Sequence, residues 1–260
     1  MPKRLRIEQA GRLLWYQLTD DCGTQPAGKA RAPRRDRTAA PQQALNQRRS
    51  FLMLEKILAC NFPTPGSGIV VTLTYDDAHM PKTREAARRK FNRFIGKLRR
   101  ARTDAGLPEL VAVSCVEVLT SDSGRWHHHA VINNTGRDID LIRACWSYGT
   151  DIEVRPLRVD SEKNHETLAR YMSKEAREVQ DFESKVGSRV WTCTRNAKRP
   201  EADVMSVPDD YEIAVPEGAE ILSDEEHRTD FGSWRIVKVR VGTDETVVRP
   251  RARRKRRPRA

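Results

Sequence analysis

The chain has 260 residues, and 48 Lys and Arg against 36 Asp and Glu give a formal net charge of +12 at pH 7. No apolar run reaches the length of a membrane span, and the basic start lacks the apolar region of a signal peptide. The five cysteines form no Cys-x-x-Cys pair, which argues against a disulfide framework and favours a cytoplasmic protein. The charge predicts a nucleic-acid partner, because Arg and Lys release counterions when they bind phosphate.

The two ends of the chain are expected to differ from its middle. Residues 1–44 are interpreted as a basic, largely irregular arm, and 249–260 as a basic tail that is disordered in isolation. Residues 45–210 are predicted to be the main domain, and residues 211–248 a small β-rich addendum. Within that plan, residues 185–210 are expected to be less regular.

The main domain is predicted to alternate strands and helices. In chain order the pattern gives a helix at 42–60, a strand at 69–75, a helix at 83–102, strands at 110–119 and 125–133, a helix at 138–146, a strand at 151–154 and a helix at 164–178. This order favours an α+β fold of the ferredoxin or RRM type, a central antiparallel sheet with helices packed on one face.

Consecutive histidines at 127–129 lie inside an apolar stretch that is predicted to be a strand. Side chains alternate along a strand, so His127 and His129 are expected to share one face and His128 to point to the other. A hairpin turn near residues 121–124 would bring Glu117 of the preceding strand beside the pair. Two imidazoles and a carboxylate can hold Mg²⁺ or Mn²⁺ and leave positions open for a phosphate. Taken alone, a His-x-His pair is more often structural.

A tyrosine and a lysine three residues apart lie on the last predicted helix, at Tyr171 and Lys174. That spacing puts both on one face. A phenol is a weak nucleophile, but a metal-bound phosphate and a nearby ammonium group would favour its phenolate. A lone helical tyrosine is usually a packing residue, so this interpretation depends on the histidines.

The ordered set of motifs resembles the HUH endonucleases, and more narrowly the bacterial and phage rolling-circle replication initiators. The matching segments are Thr72-Leu-Thr-Tyr75, Glu117, Gly124-Arg-Trp-His-His-His-Ala-Val-Ile132, Tyr171-Met-Ser-Lys174 and Trp191-Thr-Cys-Thr-Arg-Asn196 followed by Pro200. The resemblance covers roughly residues 45–240. It implies metal ligation by His127, His129 and Glu117.

The resemblance also implies a reaction. Tyr171 would attack a backbone phosphate of single-stranded or hairpin origin DNA, forming a 5′-phosphotyrosine and freeing a 3′-OH, with Lys174 stabilising the phosphate. Because the chain has no P-loop motif, duplex opening would come from supercoiling or from a host or element helicase. A DNA polymerase would be a second partner, extending the 3′-OH. Arginines near the motifs and in the tail are expected to contact DNA: Arg125, Arg170, Arg195, Arg253 and Arg254.

The sequence leaves several alternatives open. The middle position of the metal motif is usually apolar, so His128 could be a ligand in a different register. With one tyrosine on the helix, termination would need a water activated by a carboxylate, such as Glu175 or Glu178, or a second protomer. A conjugative relaxase, a single-tyrosine transposase and a non-catalytic DNA-binding regulator are the alternative functions.

Overall fold

The structure is a computed structural model that describes residues 2–20, 40–118, 125–158, 165–173, 190–229 and 232–242. The strands in chain order are β1 (Lys3–Ala10), β2 (Leu13–Asp20), β3 (Gly68–Thr74), β4 (Ala112–Val118), β5 (Trp126–Asn133), β6 (Ile152–Pro156), β7 (Trp191–Cys193), β8 (Glu201–Val207), β9 (Glu220–Thr229) and β10 (Gly232–Arg240). The helices are α1 (Ala40–Asn61), a 3₁₀ turn η1 (Asp77–His79), α2 (Arg84–Asp104) and α3 (Asp138–Cys145), with further helical residues at 166–173. No helix in these described ranges is long and apolar enough to cross a membrane.

The chain divides into two units, one of residues 32–199 and the other of residues 1–31 together with 200–260. The unit that ends at Arg199 contains a five-stranded antiparallel sheet in the order β6-β3-β5-β4-β7. The α+β class and the antiparallel sheet predicted from the sequence are confirmed.

Helices cover both faces of this sheet, so the expectation that they would lie on one face is wrong. On one face, α2 and α3 build a core that includes Phe94, Leu98 and Ile142. On the other, α1 and the helical residues 166–173 build a second core with Leu58 and Met172. The reason lies in the central strands, which are apolar at successive positions rather than at alternate ones, so neither face can be left to solvent.

Helix α2 carries its apolar side chains on a single stripe. Thr83 caps its start, accepting a hydrogen bond from the backbone N–H of Ala86 at 3.2 Å. The buried positions recur every three or four residues, as a helix that packs on a sheet requires. They are Arg84, Ala87, Phe91, Phe94, Leu98 and Arg102.

Gly96 lies in the interior of α2, and a Cβ added there would meet no atom within 4 Å. Glycine in an exposed helix interior costs about 1 kcal/mol relative to alanine. We therefore expect Gly96→Ala to raise the free energy of unfolding by about 1 kcal/mol. Urea denaturation of the variant and the native chain measures this. A fall in stability would show that the glycine is required by the fold.

The second unit contains a five-stranded antiparallel sheet in the order β8-β1-β2-β10-β9. Its core lies on one face and includes Leu5, Tyr16 and Val237, covered by Tyr211 and other side chains that follow β8. The prediction of an irregular arm over residues 1–44 is therefore wrong for residues 3–20, which form a hairpin, and for residues 40–44, which begin α1.

Two further boundaries differ from those predicted. The described residues 190–210, expected to be less regular, contain the short strand β7 and the strand β8. The C-terminal stretch of the second unit begins with β8, ahead of the predicted boundary at 210/211, because β8 pairs with β1 along its length. Residues 249–260 and residues 21–39 lie outside the described residues.

Candidate active site

The cross-strand register puts the predicted metal ligands on one face of the first sheet. His127 of β5 pairs directly with Glu117 of β4 on one side and with Thr74 of β3 on the other. His129, two residues further along β5, pairs with Thr72. Directly paired side chains project to the same face, and this is the face on which α1 and residues 166–173 pack.

His128 points to the opposite face and belongs to the core. Its exposed fraction is 0%, its ring stacks on Phe91 at a centroid distance of 4.6 Å, and its Nε2 lies 2.8 Å from the hydroxyl of Tyr75. Complete burial lowers the pKa of His128 to about 3, so the ring is neutral at physiological pH. His128 therefore lies on the opposite face of the sheet from His127 and His129.

Threonine hydroxyls of β3 contact the Nδ1 atoms of both histidines on the site face. Thr74 Oγ1 lies 3.0 Å from His127 Nδ1, and Thr72 Oγ1 lies 3.2 Å from His129 Nδ1. If Nδ1 of His127 carries a proton and donates it to the Thr74 hydroxyl, Nε2 presents a lone pair, the tautomer that a metal ligand needs. In His129 the hydrogen bond between Nε2 and the Glu117 carboxylate places a proton on Nε2 instead. In the sequence these threonines stand out only as part of the Thr72-Leu-Thr-Tyr75 motif. The alternation of Thr72 and Thr74 with apolar residues was the signal for their role.

The two Nε2 atoms differ in their partners. His129 Nε2 lies 2.7 Å from Glu117 Oε2, and both side chains are buried. His127 Nε2 is also buried but makes no hydrogen bond with any described residue. Burial, reinforced by the neighbouring His129, lowers the pKa of His127. A neutral imidazole with a free lone pair is the form that binds metals.

These observations bear on whether a divalent metal fits. In the described part of the chain, no three His, Cys, Asp or Glu side chains are already arranged as a metal site. Glu117 and His129 are instead hydrogen-bonded directly to each other. The donor set itself is two imidazoles and a carboxylate, and one buried imidazole nitrogen has no hydrogen-bond partner among the described residues. Such a set is chemically suited to a divalent cation.

Tyr171 lies beside the histidines although it comes from a different element. Its ring centroid is 5.3 Å from that of His129, with the planes at 77°, and the residue is 45% exposed. The helical segment is fixed by Ala169 and Met172, which are buried in the core on this face. Tyr171 therefore projects beside the site while remaining open to solvent.

The remaining predicted residues are placed as follows. Arg125 is bonded to the Tyr75 carbonyl at 3.0 Å and ion-paired with Asp77. Arg170 is exposed and pairs with Glu166 at 2.7 Å. Arg195 is exposed and borders a cavity of about 370 Å³ beside α2, on the sheet face opposite the histidine pair. The other predicted positions lie outside the described residues: Lys174, Glu175, Glu178, Arg253 and Arg254.

The geometry thus defines an α+β domain with a polar His, Glu and Tyr cluster on one face of its central sheet. Residues 68–176, which contain all of these side chains, match the family described as replication-associated protein ORF2/G2P. The matched segment is less than half of the chain. It supports a role in DNA replication, consistent with a replication initiator. Comparison with curated proteins and with solved structures gave no match.

Proposed function

We propose that the chain is a metal-dependent tyrosine endonuclease and strand transferase of the HUH type. It nicks and rejoins single-stranded DNA at a replication origin and so starts rolling-circle replication of a plasmid, phage or integrated element. The replication family matched by residues 68–176 supports the biological setting. The arrangement of the site supports the chemistry.

The position of Tyr171 carries the proposal. A structural His-x-His pair needs no phenol beside it, yet the ring of an exposed tyrosine lies 5.3 Å from that of His129. A nucleophile must reach the phosphate that the neighbouring ligands hold, and it must be accessible to DNA. Tyr171 is suited to both requirements, since it is 45% exposed and its ring lies beside that of His129, which is bonded to Glu117.

The reaction is a transesterification at phosphorus. The Tyr171 oxygen forms a bond to the scissile phosphate, the bond from phosphorus to the 3′ oxygen breaks, and the phenol's proton is lost as the leaving oxygen gains one. The products are a 5′-phosphotyrosine and a free 3′-OH, which a DNA polymerase can extend. Rejoining is the same exchange in reverse, with a 3′-OH as the nucleophile.

His127, His129 and Glu117 are the residues that would hold Mg²⁺ or Mn²⁺. A bound divalent ion supplies Lewis-acid polarisation of a phosphate oxygen, which is worth several kcal/mol of charge stabilisation in the transition state. Thr72 and Thr74 keep the imidazole rings oriented through Nδ1. Lys174 would stabilise the developing charge. A helicase is the natural partner for opening duplex DNA.

The test is formation of a covalent adduct. The full chain is mixed with a labelled single strand from the DNA beside its own gene, with Mn²⁺ or with EDTA, and separated on a denaturing gel. We expect a band that resists SDS, requires Mn²⁺ and disappears in Tyr171→Phe, because only the phenol oxygen can form the phosphotyrosine. Tyr211→Phe, in the other unit, is the matched control and should keep the adduct.

The same gel separates the alternatives. Tight, EDTA-insensitive binding with no adduct on any strand of the element would overturn the proposal and favour a non-catalytic regulator. An adduct only at a transfer origin or a transposon end would retain the chemistry but replace the replication role with that of a relaxase or transposase.

A further inference from the structure

The outer side of α2 carries a row of cations that the candidate active site does not use. Arg89, Arg93, Lys97 and Arg100 follow one another at intervals of three or four residues, and all are exposed. That spacing places them in one line along the helix, away from the buried stripe. At a rise of about 1.5 Å per residue the line is roughly 16 Å long. We call these four residues the α2 row.

The α2 row is not neutralised by the described part of the protein. None of its members forms an ion pair with a carboxylate there, and the one polar contact, Lys97 to the Ser147 hydroxyl at 3.3 Å, is with a neutral group. Like charges four residues apart destabilise a helix. The α2 row therefore lowers the stability of the helix, and binding of an external anion would relieve the repulsion between its charges.

Gly96 adds an independent observation. It lies on the same side of α2, three residues after Arg93 and four before Arg100, and nothing in the protein lies within 4 Å of where its Cβ would be. Internal packing does not require a glycine at this site. A glycine on a solvent-facing helix surface permits another molecule to approach the backbone closely.

The apolar side chains of α2 indicate which nucleic acid fits. Phe91 and Phe94 are both buried in the core, so the outer side offers cations without aromatic rings. Proteins that hold single strands combine cations with aromatic stacking, whereas contacts to a duplex backbone need only cations and a close approach. The row also lies on the sheet face opposite His127, His129 and Tyr171.

We infer that the α2 row and Gly96 form a docking surface for the phosphate backbone of double-stranded DNA, separate from the site that cleaves the single strand. This inference rests on the proposed function only in taking DNA as the substrate. The surface would hold duplex beside the nick region, on the far side of the sheet. Arg99, which borders the cavity next to Arg195, extends the basic surface along the helix, although Glu109 also borders that cavity.

The experiment measures binding of the full chain to a labelled 20-base-pair duplex of arbitrary sequence by fluorescence anisotropy, over a series of salt concentrations. The test variant combines Arg89→Gln, Arg93→Gln and Arg100→Gln. The control combines Arg4→Gln, Arg155→Gln and Arg235→Gln, which removes the same charge elsewhere. We expect the test variant to bind about tenfold or more weakly, with a salt slope smaller by about 2 to 3, since each phosphate contact contributes about 0.9.

A second variant tests the close approach of DNA at Gly96 separately from the charge of the α2 row. Gly96→Leu keeps every cation and places a good helix former on the surface, so it should raise the melting temperature yet weaken duplex binding. If the test variant matches its control in affinity and in salt slope, the inference is wrong. If Gly96→Leu binds as the native chain does, the close-approach part is wrong. Adduct formation on a single strand should persist in both variants, and its absence from the native chain would instead count against the proposed function.

Discussion

Replacing His127 by alanine is expected to slow metal-dependent adduct formation on the order of 10³-fold while leaving the fold intact. His127 Nε2 is buried and has no hydrogen-bond partner among the described residues. Removing this nitrogen therefore breaks no hydrogen bond to another described group. If the imidazole is a metal ligand, the variant loses much of the charge stabilisation at the phosphate. That stabilisation is several kcal/mol, or on the order of 10³-fold in rate.

The measurement is the single-turnover rate of adduct formation at saturating Mn²⁺, beside a calorimetric titration of Mn²⁺ into the free protein. His79→Ala, which changes an exposed histidine on η1, is the matched control. Unchanged Mn²⁺ affinity and rate in His127→Ala would refute the ligand assignment. His129→Ala is a less direct probe, because it also deprives buried Glu117 of its partner at 2.7 Å.

The second large effect is expected on the free energy of unfolding when Arg102, at the end of α2, is replaced. Its guanidinium is buried and bonded to Asp138 at 2.5 Å, and to the side chain and carbonyl of Asn133 at 2.7 Å each. Burial lowers the pKa of Arg102, and the negative charge of Asp138 partly offsets this by raising it. Asp138 also accepts two hydrogen bonds from Thr135. The cluster joins α2, the end of β5 and the start of α3.

Arg102→Met is expected to lower the free energy of unfolding by about 3–5 kcal/mol, because it leaves the Asp138 carboxylate buried without its cation. Adding Asp138→Asn should recover part of that loss, since the remaining amide carries no charge. Urea denaturation of the single and double variants measures both values. Arg155→Met, which removes an exposed pair with Glu153, is the control and should cost less than about 1 kcal/mol. Equal losses at the two arginines would contradict this account.

The local patterns in the main domain were sufficient to predict its elements. The strand at 69–75 and the helix at 83–102 correspond to β3 and α2, because β-branched runs and a three-to-four residue apolar period are determined by neighbours along the chain. Alternation likewise predicted that His127 and His129 would share a face with Glu117 and that His128 would not, and the register confirms this placement. Their roles as ligands stay a prediction.

Properties set by distant segments were missed. The strand β1 alternates charged and apolar residues, but without knowledge of β8 its charge resembled that of the basic segment that follows. The second layer of helices was missed because burial of both sheet faces depends on which elements return to cover them. The contacts of Thr72 and Thr74 with the histidines also depend on pairing between strands more than 50 residues apart.

The hairpin β1–β2 has a consequence for the order of folding during synthesis. It occupies the second and third places of a sheet whose other strands lie beyond residue 200, so one unit is inserted in the sequence of the other. At about 5–20 residues per second, residues 3–20 leave the ribosome on the order of ten seconds before β10 can pair with them. In that interval both edges of the hairpin are open to pairing with other chains. Two of its eight β1 residues are arginines and one is a lysine, and such edge charges oppose that pairing until β8 and β10 arrive.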